Sequence, residues 1–381
     1  MGRRAWTAIL IGLVVAAVVV TWAPWRKKLE VIKIGAIQPM TGTVASWGQH
    51  GERAMRIAVQ EINAAGGIRG HQVQLILEDS QGDPKVGVNA LKKLIDVDKV
   101  PLVIGDAISP VSFATAPIAS TRHVVLLSPG STAALLTREG GNYFFRVMPS
   151  DALQSKITAE WIAGLGFRDV AVVGTNNVWG KGLVEFFSRE FPKRGGRLAL
   201  EQLVGEQVSD FRTVIEKIRA ADPDAIYAPL YQTQAGQFLR QLKQLGVPIQ
   251  VFGADVYEAP ELLETAGDAA NGVLFTTFVQ QDNDISRNFR AKYRAEYGMD
   301  PINYAYFAYD AMKLAAHAID EAGYNAARIR QALLRTRDFR GATGITAFDE
   351  HGDVTTKTFE KMQIRGGRIV PLKPGSAGSS G

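Results

Sequence analysis

Short β-branched apolar runs alternate with segments of helical spacing along most of the chain, and the alternation occurs twice in tandem. In the first run VIKIGAI (31–37), HQVQLILED (71–79), VPLVIG (100–105) and HVVLL (123–127) read as strands, with helices over 49–65, 84–97 and 110–120 between them. Ala54, Ile57, Ala58, Ile62 and Ala65 fall on one helical face, and Gly66 and Gly67 end that helix. After Met148 the rhythm resumes: helices over 152–165, 180–191, 211–221 and 233–245 separate VAVVG (170–174), LALEQLV (198–204), AIYAPL (225–230), IQVFG (249–253) and GVLFTTF (272–278). Strands joined through helices must run parallel, buried on both faces, so the pattern predicts two α/β units with parallel sheets flanked by helices. Helices over 285–297, 303–322 and 326–334 follow, then hairpin strands around DEHGD (349–353) and RGG (365–367). This last part is too small for a domain. It should complete the two units, which makes the chain cross between them more than once.

At 381 residues two domains are expected. The 43 basic and 38 acidic residues leave a net charge of only +5, and no Lys/Arg run is long enough for a nucleic-acid footprint. The absence of cysteine excludes disulfides, thiolate metal sites, a cysteine nucleophile and a lipid-modified cysteine. The N-terminus carries MGRR, an uncharged run from Ala5 to Trp25, then RKK. That run exceeds the roughly 7 to 15 residues of a signal-peptide core and meets the threshold of about 18 for a spanning helix. Trp6 at one end and Trp22 with Trp25 at the other suit the two membrane interfaces. Residues 1–28 are therefore expected to act as a signal peptide, cut after Ala23, or as a membrane anchor through residues 5–25. The protein is expected to be exported, to the periplasm or the extracytoplasmic membrane face. The Gly/Ser-rich tail, 373–381, has linker composition.

In open parallel sheets ligands bind beyond the carboxyl ends of the strands. The loops there are QPMTGTVASWG (38–48), GDAISPVS (105–112) and SPGST (128–132) in the first unit. In the second they are GTNNVWG (174–180), PLYQTQAG (229–236) and FGADVYEAP (252–260). Small hydroxyl residues dominate the first set, whereas aromatics and Asp255 mark the second. Ser109 before Pro110, and Ser131 with Thr132 before an apolar run, either cap helices or hold a carboxylate or phosphate with hydroxyls and free N–H groups. Phosphate is disfavoured because no Lys or Arg accompanies SPGST. GTNNVWGKG (174–182) fails as a phosphate loop: five residues separate Gly174 from Gly180, and Lys181 is followed by Gly182. No HExxH, GxSxG or strand-following GxGxxG occurs, and the five histidines are scattered. No catalytic residue, cofactor or metal site is therefore expected, and hydrolysis on this scaffold has no motif behind it.

In their order, IKIGAIQPMTG, AVQEINAAGGIRG, LEDSQGDP, VIGDAISP, LLSPGST, FFRVMPSD and the AFDEHGD hairpin resemble the leucine/isoleucine/valine-binding protein family, the type I periplasmic amino-acid-binding proteins of ABC transporters. The resemblance covers about residues 31–370. It implies two Rossmann-like lobes on a three-stranded hinge, lobe 1 taking 29–147 and 281–341 and lobe 2 taking 148–280 and 342–372. It also implies a monomer that closes on an amino acid and hands it to an ABC permease. Matched loop by loop, the α-carboxylate site falls on Ser109, Gly130 and Thr132, partly through backbone groups, and Ser131 between them is expected among the ligand-binding residues. The ammonium site falls on Asp255 with Tyr231 near it, and the side-chain pocket on Trp47, Trp179 and Tyr304. A zwitterion needs donors at one end and an anion at the other, because burying either charge alone is costly. Trp47 and Trp179 stand where the family's branched-chain binders carry tyrosine, and Tyr304 where they carry phenylalanine. Planar aromatics there also suit an aromatic or amide ligand. From the residues alone, Asp255 could instead cap a helix near Glu258, and the tryptophans could pack between lobes. The alternative function is a membrane-tethered sensor of the same fold for an amino acid, amide or aromatic acid.

Overall fold

The computed structural model describes residues 31–372. The apolar run at 5–25, its cleavage site and the tail at 373–381 lie outside the described residues. Among the described residues no helix is long and apolar enough to cross a membrane.

The first sheet is wholly parallel. It contains β1 (Ile32–Gln38), β2 (Val73–Asp79), β3 (Leu102–Ile104), β4 (Val125–Ser128) and β5 (Phe144–Arg146), in the order β2-β1-β3-β4-β5. β5 was not foreseen: three residues are too few to show any periodicity. Helices α1 (Ala45–Ala64), α2 (Pro84–Asp96) and α3 (Ser109–Thr121) connect the strands. α1 begins four residues earlier than its spacing suggests, which puts Trp47 in its first turn. Asp83 starts α2 by accepting from the N–H groups of Lys85 (2.8 Å) and Val86 (3.0 Å), with Pro84 at the first helical position. A single turn, α4 (Leu136–Glu139), precedes β5.

After β5 the chain passes through 147–150 into the second unit. Helices α5 (Asp151–Gly164), α6 (Val178–Glu190), α7 (Arg212–Ala221), α8 (Gln232–Gln244) and α9 (Pro260–Ala266) surround a second sheet. Its strands β6 (Asp169–Thr175), β7 (Arg197–Val204), β8 (Ala225–Tyr227), β9 (Gln250–Gly253) and β10 (Leu274–Phe278) are parallel in the order β7-β6-β8-β9-β10.

The chain then returns. α10 (Asp284–Tyr297) and α11 (Asn303–Ala322) pack on α1, and α12 (Ala326–Arg335) packs on α11. α11 is buried over most of its surface, and its one buried acid, Asp310, accepts from the N–H groups of Ala342 (2.7 Å) and Thr343 (2.8 Å). Those residues form the turn of an unforeseen hairpin, β11 (Phe339–Gly341) with β12 (Gly344–Thr346). DEHGD is a turn flanked by an isolated bridge between Phe348 and Val354, so the hairpin expected there is corrected to that bridge. The expected hairpin around Arg365–Gly367 is present: β13 (Phe359–Arg365) and β14 (Arg368–Pro371) extend the second sheet, β13 running antiparallel to β10. The chain thus passes three times between the sheets, and the carboxyl ends of the parallel strands in both units face a common cleft.

Candidate functional site

A tight cavity of about 20 Å³, room for roughly one water, lies in that cleft. Loops of both units line it: Trp47, Ser109, Gly130 and Thr132 from the first, and Trp179, Tyr231 and Asp255 from the second. No Lys, Arg or His lines it. Among the described residues no cluster of three or more His, Asp or Glu could hold a metal ion.

The first unit supplies donors, and one buried acid shapes them. Asp106, which the sequence reading passed over, accepts from Ser80 Oγ (2.6 Å) and from the Ile108 N–H (2.9 Å). Its backbone carbonyl accepts from Ser128 Oγ (2.9 Å), and Ser128 Oγ in turn accepts from the Ser131 N–H (2.8 Å). The 105–112 and 128–132 loops are therefore one hydrogen-bonded body. Burial pushes the Asp106 carboxyl up to about 7. Ser109 begins α3 and its Oγ accepts from the Ala133 N–H (3.1 Å), leaving its own O–H to donate toward the cavity. Gly130 is required by close approach: a Cβ would sit 2.4 Å from the Ala107 carbonyl oxygen and 2.7 Å from the Tyr304 ring.

Ser131 does not line the cavity. Its Oγ donates to Ser112 Oγ (2.7 Å), inside the loop body. Tyr304 is likewise held back, its O–H donating to Gln38 Oε1 (2.6 Å) while its ring lies 5.4 Å from that of Trp47. It supports Trp47 and Gly130 from behind. Arg146, fully buried, fixes the loop from below: Nη1 donates to the carbonyls of Thr132 (2.9 Å) and Ala133 (2.8 Å), and Nε and Nη2 pair with Asp353 (2.6 and 2.9 Å).

The second unit supplies negative charge. Asp255 opens a short 3-10 turn after β9 and is buried, with no hydrogen-bond partner for Oδ1 among the described residues. Burial pushes its carboxyl up to about 6. Asp151, at the start of α5, is fully buried; its N–H donates to the Thr132 carbonyl (2.9 Å), and the Thr132 side chain lies beside its carboxylate and favours the charged form. Burial, and then the charge of Asp255 beside it, push its carboxyl well above the usual range. Gln154 Oε1 and the Tyr227 hydroxyl are buried without partners in the same region. Asp151 lies within FFRVMPSD but reads as an ordinary acid in a first helical turn; only the fold turns it inward.

Trp179 stacks on Tyr231, with ring centroids 4.9 Å apart and planes 8° apart. Asn177 places both residues: its side chain accepts from the Gly180 N–H (3.0 Å), capping α6, and donates to the Tyr231 hydroxyl (3.2 Å). Gly180 is needed because a Cβ there would meet the Thr175 carbonyl oxygen at 2.2 Å. The near-miss phosphate loop is thus a helix cap. Gln232, which also lines the cavity, was not anticipated.

Two α/β units meeting across a narrow cleft, with a three-pass hinge, define a bilobal solute-binding protein of the type I periplasmic fold. A profile described as periplasmic binding protein matches residues 31–368, and the chain belongs to that family, whose members bind a solute and do not convert it. The Leu/Ile/Val-binding protein BraC3 of Rhizobium johnstonii is 29% identical over 343 residues, covering 89% of this chain and 93% of that one. The branched-chain amino acid substrate-binding protein LivJ of Streptococcus pneumoniae, solved with isoleucine, superposes with a TM-score of 0.81 at 29% identity, over 91% of this chain and all (100%) of that one. A solute-binding protein of Rhodopseudomonas palustris, solved with 3,4-dihydroxybenzoic acid, gives 0.79 at 26% identity, over 90% of this chain and 96% of that one.

Proposed function

We propose that this chain captures an α-amino acid in the cleft, outside the cytoplasmic membrane, and presents it to an ABC permease. The observation that carries the reading is the division of polarity across the cavity. Neutral donors (Ser109, Thr132 and the backbone beside Gly130) come from one unit, and the buried carboxylate of Asp255 comes from the other. A carboxylate ligand end suits the donors, and an ammonium end suits the acid. Trp47, Trp179 and Tyr231 form the walls between, which fits an apolar side chain. The Leu/Ile/Val-binding relative and the isoleucine-bound neighbour agree with this choice.

The cavity is far smaller than any amino acid, so the two sets of loops must part to admit one. Lobes at 29–147 with 281–341 and 148–280 with 342–372 would open and close about the crossovers. Only contacts made to both lobes favour closure.

The dihydroxybenzoate-bound neighbour favours a second reading, an aromatic acid stacked between the tryptophans. An acid lacking an amine would bury its charge near Asp255 with no base lining the cavity, which disfavours it. Calorimetry with leucine, isoleucine, valine and alanine against benzoate and 3,4-dihydroxybenzoate separates the two. Binding of an amino acid is expected, and binding of the benzoates alone would refute the proposal. Residues 5–25 would serve as an export signal or an anchor. Intact-mass measurement of exported protein decides between them: loss of about 23 residues removes the tether.

A further inference from the structure

We propose that the mouth of the cleft is a second ligand subsite, reached past Gln232, which takes the uncharged amide end of an α-amino acid with a long side chain. The inference rests on the amino-acid reading above and deepens it.

Space argues first. The enclosed cavity of about 20 Å³ leaves no room for a side chain of any length. A wider space of about 430 Å³ adjoins it at the cleft mouth, and Val44, Ile108, Tyr231 and Gln232 line both. Both units build this vestibule. The first gives an apolar wall of Val44, Pro84, Ile108 and Pro110, and the second a polar wall from residues 206–209 and the start of α8. A side chain that outgrows the aromatic walls of the cavity extends into it.

The polar wall is built of amides. Gln234 is its fixed part: Oε1 accepts from Thr175 Oγ1 (3.1 Å), and Nε2 donates to the Gly205 carbonyl (2.8 Å), which ties the loop to α8. Gln232 differs. It is only 3% exposed, it stands between the two spaces, and its side-chain amide has no hydrogen-bond partner among the described residues. Gln207 and Gln237, also in the vestibule wall, are equally uncommitted. An unpaired amide becomes costly once closure excludes water. No neighbouring protein group relieves that cost at Gln232, so the partner must come with the ligand.

Charge decides what the partner is. Among the described residues no Lys, Arg or His lines the vestibule, and Glu206 is its one acid, accepting from Asn177 Nδ2 (2.5 Å). A ligand carboxylate would meet a like charge and no counter-ion. No side chain caps the first turn of α8, so its free N–H groups and the positive end of the helix dipole oppose a ligand cation. A neutral amide escapes both penalties. Its carbonyl accepts from Gln232 Nε2 or the α8 N–H groups, its NH₂ donates to Gln232 Oε1 or Glu206, and its methylenes cover the apolar wall.

The experiment is calorimetry of the full chain with leucine, glutamine, citrulline and glutamate, on wild type and on Gln232→Leu. The better of the two amide-ended ligands is expected to bind wild type about tenfold or more tighter than leucine, with glutamate weakest. Gln232→Leu should cost that ligand about tenfold or more and leave leucine as tight or tighter, because leucine has nothing to pair with Gln232. Leucine matching both amides in wild type, or glutamate matching glutamine, would overturn the proposal. So would a Gln232→Leu variant that weakens leucine and the amides alike. Should that variant not fold, the wild-type ranking decides alone. Failure of all four amino acids, leucine included, would instead overturn the functional reading on which the proposal rests.

Discussion

Replacing Asp255 by Asn should stabilise the free protein and cripple it as a binder, and the size of both effects follows from the buried carboxyl. Its rise from 3.8 to about 6 through burial corresponds to about 3 kcal/mol between the two protonation states. The sign is fixed by linkage. Between those pH values the unfolded chain has already released its proton while the folded one still holds it. The folded state therefore binds more protons, and stability falls as pH rises. The penalty is nearly absent at pH 4, grows through pH 5 and 6, and is complete by pH 8. Asn is close to isosteric and carries no charge, so D255N should exceed wild type by about 3 kcal/mol at pH 8 and by under about 1 kcal/mol at pH 4. Binding should move the other way. A ligand ammonium left without its buried counter-charge costs about 3–5 kcal/mol, a loss of more than a hundredfold in affinity. Urea unfolding followed by tryptophan fluorescence at pH 4, 6 and 8, without and with leucine, reads both effects. A stability gain independent of pH, or D255N less stable than wild type at pH 8, would refute the reasoning.

Three further substitutions probe the rest of the site. Gly130→Ala places a methyl group 2.4 Å from the Ala107 carbonyl oxygen, so the loop must shift; calorimetry should show affinity reduced by more than about tenfold, with the melting temperature also lowered. Arg146→Met strands Asp353 and two loop carbonyls, and should cost about 3–5 kcal/mol in denaturant unfolding, whereas the double variant with Asp353→Asn should recover part of that loss. Trp179→Ala removes a stack on Tyr231 worth about 0.5–1.5 kcal/mol beyond the area it buries, and Trp179→Phe should restore much of the lost affinity.

The tandem alternation was enough to place nearly every long element, because buried parallel strands and amphipathic helices write their periods directly into the chain. What escaped were pieces decided by tertiary partners. β5 is three residues long and exists because β4 offers it a free edge. The β11–β12 turn is held by Asp310, which lies more than thirty positions earlier in the chain. At the site, the residues lining the cavity mostly come from loops whose composition was conspicuous: hydroxyls in one unit, aromatics and an acid in the other. Asp106 and Asp151 were not conspicuous. Asp106 is a single acid in the loop before α3, and Asp151 a single acid in the first turn of α5, places where acids are common and uninformative. Burial distinguishes them, and burial depends on how the loops fold over them. Ser131 and Tyr304 show the converse. Both stand beside residues that line the cavity, but the Ser131 hydroxyl donates to Ser112 and the Tyr304 hydroxyl to Gln38, so each faces the supporting shell.

The arrangement of aromatic contacts bears on how closure gains its energy. Trp47 packs with Tyr304 inside the first unit, and Trp179 with Tyr231 inside the second. Neither pair spans the cleft, so opening breaks neither, and their stacking energy favours the open and closed forms equally. The donors at Ser109 and Thr132 and the acids at Asp151 and Asp255 are also confined to opposite units. Direct polar links cross between the units: beside the cavity the Asp151 N–H donates to the Thr132 carbonyl (2.9 Å), and by the crossovers Asn303 at the start of α11 donates to Glu258 (3.2 Å) and to the Phe278 carbonyl (3.3 Å). The donors at Ser109 and Gly130 and the acid at Asp255 are completed together by a molecule that is anionic at one end and cationic at the other. A ligand with one charged end satisfies one unit and gains little from the other, and without differential affinity for the closed state it shifts no population. The division of polarity that selects a zwitterion is therefore the same feature that makes closing depend on it.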